Sequence, residues 1–133
     1  MNRITIGKTV GLIFGGVAFF LLPLVFIEID ILFRVAIWFW YISLGAIIGL
    51  FGIMDRYVIF NFSIPFWLRG VFLGAWMNFV LVIFLYNDLV ILMQGSYFEG
   101  YSPFLIIVEG MIFGLIVDFL ATKFVGEGSE LLK

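Results

Sequence analysis

Three stretches of this chain run for the thickness of a membrane without a charge: Val10 to Ile27, Val35 to Met54 and Gly70 to Asn87. A helix crosses about 30 Å of hydrocarbon with about 20 residues, so each run is long enough to span. A fourth run, Phe104 to Phe124, has the same length but contains Glu109, Asp118 and Lys123. Polar or turn-forming residues separate the runs: Glu28-Ile29-Asp30, then Asp55 to Arg69, then Gln94 to Pro103. The expectation is an all-α integral membrane protein with one domain over residues 1–133. Its four transmembrane helices lie near 9–27, 33–54, 70–88 and 104–124.

Composition agrees with that reading and removes the alternatives. The chain has 133 residues, 65% of them hydrophobic and 12% charged. A soluble domain is about half apolar and about a quarter charged, so a solvated surface is missing here. A disordered chain is excluded on the same ground. The net charge is -2 and the seven basic residues are scattered, which excludes a nucleic-acid partner. There is no His and no Cys, so thiol chemistry, disulfides and the usual zinc sites are excluded. No phosphate-binding glycine loop or nucleophile–base pair is present. Neither an enzyme, a metal site nor a cofactor is expected.

Lys and Arg placement sets orientation. With four spans, both termini and the middle loop share one side, which holds Arg3, Lys8, Arg56, Arg69, Lys123 and Lys133. Only Arg34 lies opposite, beside Glu28, Asp30, Asp88 and Glu99. A multi-pass protein of a prokaryotic cytoplasmic membrane, with both termini cytoplasmic, is the expected setting. No small-x-small cleavage site follows the first run, which therefore reads as an uncleaved span. Trp38, Trp40 and Tyr41 near the outer end of span two, and Tyr57, Phe66 and Trp67 at the cytoplasmic end of span three, read as interfacial belts. The apolar middle loop reads as lying in the cytoplasmic interface, with a re-entrant segment as the alternative.

Each span also carries Gly-x-x-x-Gly: Gly11/Gly15, Gly45/Gly49, Gly70/Gly74 and Gly110/Gly114, with Gly7 preceding the first pair. Residues four apart share a helix face, and glycines there let a neighbouring backbone approach. All eight paired glycines are therefore expected at helix contacts against backbone. Gly45-Ala46-Ile47-Ile48-Gly49-Leu50 resembles Gly110-Met111-Ile112-Phe113-Gly114-Leu115. The halves 1–55 and 69–125 thus read as two tandem helical hairpins running parallel to each other.

The costly residues are the intramembrane polar ones, since a carboxylate near a span centre costs about 3 kcal/mol on the insertion scale. Asp118 continues the face of Gly110 and Gly114, and Asn78 continues that of Gly70 and Gly74. Antiparallel neighbours bring the two to similar depth, so a hydrogen bond between them is expected. Asp118→Asn should then be tolerated structurally. Glu109 lies about 180° around the helix from Asp118, where Arg34 or a second subunit could meet it. Asp118, Glu109 and Asn78 are the candidate polar pathway. The expected function is a small oligomeric channel or transporter for an ion, proton or small solute. The competing expectation is a non-transporting subunit or scaffold, docked on other membrane proteins through its glycine faces. The expected partners are the lipid bilayer and a second copy or another membrane protein.

Overall fold

A computed structural model describes residues 2–26, 29–54, 66–96 and 98–125. The middle connection, with Tyr57 and the Phe66 and Trp67 side chains, lies outside the described residues. The chain forms four helices: α1 (Arg3–Val25), α2 (Ile31–Met54), α3 (Phe66–Met93) and α4 (Leu105–Val125). All four are long and apolar enough to cross a membrane, the pattern of a multi-pass membrane protein.

Three helices begin before their uncharged runs, α2 at Ile31 ahead of Arg34. α1 starts at Arg3 because Asn2 caps it: the Thr5 backbone N–H donates to Asn2 Oδ1 at 2.8 Å. α3 has 28 residues and continues past Asp88 through the apolar Leu89 to Met93, bending at Leu85 (φ -110°, ψ 15°). At 1.5 Å per residue it is about 42 Å long, more than hydrocarbon needs. A charge that marks the edge of an apolar run does not stop a helix.

α1 and α2 form one antiparallel hairpin, and α3 and α4 form the other; contact within each hairpin is far more extensive than between them. Glycine makes the close approach possible. A Cβ on Gly7 would collide with the Gly45 carbonyl, and one on Gly74 with the Gly110 carbonyl. Gly11 faces the Tyr41 carbonyl, Gly49 that of Arg3 and Gly70 that of Gly114 in the same way. With no hydrophobic drive between helices in lipid, such backbone contact is the main source of packing energy.

Gly15 corrects the expectation that every paired glycine meets bare backbone. A Cβ there would strike the Trp38 side chain first, Cδ1 at 2.6 Å, with the Trp38 backbone further off at 3.0 Å. The corresponding distances to backbone are 1.9 Å at Gly7 and 2.2 Å at Gly11. α1 and α2 therefore draw apart along the strip, and at its last position an indole fills the widening gap. Gly15 still needs to be small, because a bulky ring occupies the space beside it.

The hairpins meet over a core of Tyr41, Leu44, Ile48, Leu73, Phe113 and Val117. The Phe14, Tyr41 and Phe113 rings form its centre, each pair about 5 Å apart between centroids and inclined to one another, a favourable aromatic geometry. Large apolar side chains such as Phe20, Leu24, Phe39, Phe84 and Ile91 point outward, where lipid would meet them. Helices α1 and α3 begin, and α4 ends, at what we term the terminal end. The connections after α1 and α3 mark the loop end.

Candidate functional site

The fourth helix carries two carboxylates on opposite faces, and their surroundings differ completely. Asp118 lies fully buried near the terminal end. Arg69 grips it with a fork, Nε to Oδ2 at 2.6 Å and Nη2 to Oδ1 at 2.6 Å. Arg3 Nη2 donates to the same Oδ1. The other Arg3 nitrogens reach Thr122 Oγ1 at 3.1 Å and the Gly49 carbonyl at 3.3 Å. Both guanidiniums are buried too, Arg3 at 0% and Arg69 at 4% exposure. Charge-assisted, bidentate bonds of this kind are strong, and both carboxylate oxygens are used. Arg3 comes from the first hairpin, Arg69 and Asp118 from the second. The cluster is therefore an ionic clasp between them.

That arrangement corrects the expected Asn78–Asp118 bond. Asn78 Nδ2 donates to the Ile106 carbonyl at 2.9 Å, and its Oδ1 accepts from Trp40 Nε1 at 3.0 Å. Two guanidiniums compete far better for a buried carboxylate than one neutral amide. In the sequence, Arg3 and Arg69 read only as markers of orientation. One signal pointed further: Arg3 precedes Gly7 by one helical turn, so it extends the buried glycine face instead of leaving it.

Glu109 lies near the loop end. Tyr41 Oη donates to its Oε1 at 2.7 Å, and no second donor reaches the carboxylate among the described residues. Glu109 is exposed and lines a partly open cavity of about 310 Å³ bordered by all four helices and the α3–α4 connection. Ala18 and Leu22 come from α1, Phe33 and Ile37 from α2, Leu81, Leu85 and Leu89 from α3, and Ile106 from α4. The bend at Leu85 thus falls within the cavity wall. Its floor is Tyr41, which is 2% exposed and continuous with the aromatic core.

The aromatics of α2 are also corrected. Tyr41 faces the core instead of a headgroup belt, and its hydroxyl donates to Glu109. The Trp38 indole, packed beside Gly15, donates across to the Leu12 carbonyl at 2.9 Å. Each of these polar tips finds an interhelical partner. The Arg34–Glu109 contact is absent as well. Arg34 Nε donates to the Phe19 carbonyl at 2.8 Å, with its guanidinium 4.0 Å above the Phe19 ring, a cation–π contact. Of the three expected pathway residues, Glu109 meets Tyr41, Asn78 meets Trp40 and the Ile106 carbonyl, and Asp118 is held apart in the clasp.

Among the described residues no group of three or more acidic ligands is placed to hold a metal ion. No protein-family model, curated protein or solved structure matches this chain.

Proposed function

We propose that this chain is a small membrane transporter whose solute site is the cavity between its four helices, with Tyr41 and Glu109 at the floor. The carrying observation is Glu109 itself. A carboxylate at membrane depth is expensive, and Asp118 illustrates the structural remedy of two buried arginines. Glu109 has one phenol donor and an accessible face on a cavity of ligand size. Below it the route is closed by Tyr41, Phe113 and Leu44. A one-ended cavity suits a carrier that exposes its site alternately better than an open pore.

Positive-inside placement puts the clasp and termini on the cytoplasmic side and the cavity towards the exterior of a prokaryotic cytoplasmic membrane. The two hairpins are read as tandem repeats, and relative rocking of the two would alternate access. A chain this short leaves little room for a route, which favours a homo-oligomer, but the cavity lies within one chain. The scaffold reading loses its main support, because the glycine faces it needs for partners are covered by residues of the same chain.

Proteoliposomes offered protons, sodium, potassium and a panel of small organic solutes test the proposal. Uptake of at least one solute is expected, and Ala18→Trp, which fills the cavity from α1, should abolish it with helicity unchanged. No uptake by folded protein, or uptake that survives the filling, would contradict it.

A further inference from the structure

We infer that the cavity takes a small apolar organic cation, such as an amine or quaternary ammonium compound, whose charge meets the Glu109 carboxylate. The inference rests on the solute-site reading above and goes further by naming the ligand class. Three observations carry it.

The first is the wall. Leu22, Phe33, Ile37, Leu85, Leu89 and Ile106 offer the occupant no hydrogen bonds from their side chains. A hydrated metal ion would exchange its water there for one carboxylate and the Tyr41 and Ser102 hydroxyls, too few ligands to replace its shell. The body of the occupant is therefore apolar.

The second is the sign of the charge. Glu109 is the ionisable acid on the lining, and neither Lys nor Arg contributes to it. Tyr41 Oη engages Oε1, and Oε2 accepts from no donor among the described residues. The nearest span-two cation, Arg34, is committed to the Phe19 carbonyl and ring on the α1–α2 hairpin. An anionic occupant would face an uncompensated carboxylate, whereas a cation supplies the missing counter-charge. Aromatic faces on the same lining, Phe33 and Phe26, add a favourable surface for a positive group.

The third is the entrance. A second concavity at the loop end shares the lining residues Phe26, Phe33 and Leu92 with the cavity, so the two adjoin. Asp30 and Asp88 line it, from the start of α2 and from α3. Carboxylates at the mouth of a low-dielectric cleft focus the field and raise the local concentration of cations. Size agrees as well. About 310 Å³ is at the lower end of the range for ligand sites, enough for one ring and a compact charged head.

A pair of probes that differ only in charge provides the test: benzyltrimethylammonium and its neutral carbon isostere neopentylbenzene. Each is titrated calorimetrically into the protein in lipid nanodiscs, with empty nanodiscs subtracted. The cation should bind once per chain and at least tenfold more tightly than the isostere. Glu109→Gln should erase that tenfold preference and leave the isostere's affinity unchanged, and Lys8→Gln, an exposed position near the terminal end, should alter neither. Equal binding of the two probes to the wild type, or an undiminished preference in Glu109→Gln, would overturn the cation assignment and leave the solute site standing. Loss of both probes in Glu109→Gln would also overturn it, because the carboxylate would then be maintaining the cavity rather than selecting charge. Failure of both probes to bind the wild type would remove the solute site along with the assignment.

Discussion

Asp118 and Glu109 occupy the same helix, yet one is held by two arginines and a threonine and the other by a single tyrosine. The difference separates two ways of keeping a carboxylate on a long apolar helix. At the terminal end, both carboxylate oxygens are met by positive charge. The cost of desolvating three ions is offset only because they stay together. At the loop end, the hairpins diverge and leave a cavity, so the carboxylate keeps an open side. The first arrangement joins two hairpins. The second leaves room for something that arrives from outside.

Substitutions that treat the two carboxylates alike should therefore have unlike effects. The largest is expected for Asp118→Asn, which removes the anion shared by two buried guanidiniums. Breaking a buried ion pair costs about 3–5 kcal/mol, and a loss of that order should appear in detergent unfolding curves. A tolerated Asp118→Asn would return that residue to the pathway and erase the contrast. Gly114→Leu should come next. Its side chain would have to enter the backbone of α3 at Gly70, and overpacking of this kind costs about 1–3 kcal/mol. The same unfolding assay measures it, and an unchanged midpoint would mean that the hairpin is held by other contacts.

Tyr41→Phe keeps the ring in the aromatic core and deletes only the bond to Glu109. A loss of about 1 kcal/mol is expected, typical of one hydrogen bond. A loss as large as that of Asp118→Asn would make the Tyr41–Glu109 pair a second clasp instead of a site. Glu109→Gln should have the smallest effect, within about 0.5 kcal/mol, as for a substitution away from a packed network. The amide oxygen still accepts from Tyr41, and the open side loses nothing. Unfolding curves showing strong destabilisation here would identify a buried structural acid.

The four spans were legible because hydropathy is summed over some twenty residues and tolerates local exceptions. The same averaging hides the helix ends. Charge alone assigns Arg3 to the headgroups, although its partner Asp118 lies more than a hundred residues away in the chain. Pairing at that distance depends on which faces of α1 and α4 meet, and a single sequence carries no record of it. The glycine spacing carries more, because close backbone approach admits almost no other residue. It marks the face at Gly15 as well, but not that an indole instead of backbone lies opposite. Followed one turn further, the spacing leads from Gly45 to Tyr41 and from Gly7 to Arg3, the residues that meet Glu109 and Asp118. The cavity itself left no mark in the sequence. It lies between the two hairpins, and the residues around it are the same Leu, Ile and Phe types that are exposed elsewhere.

The contrast between the two carboxylates can be measured without any substitution. Dicyclohexylcarbodiimide is an apolar reagent that modifies carboxyl groups within membranes, and peptide mass spectrometry assigns the modified residue. Applied to the wild-type protein in lipid, it should modify Glu109 through the cavity and leave Asp118 unmodified between Arg3 and Arg69. Modification of Asp118 at a rate equal to or above that of Glu109 would contradict the division of the molecule into a closed clasp and an open site.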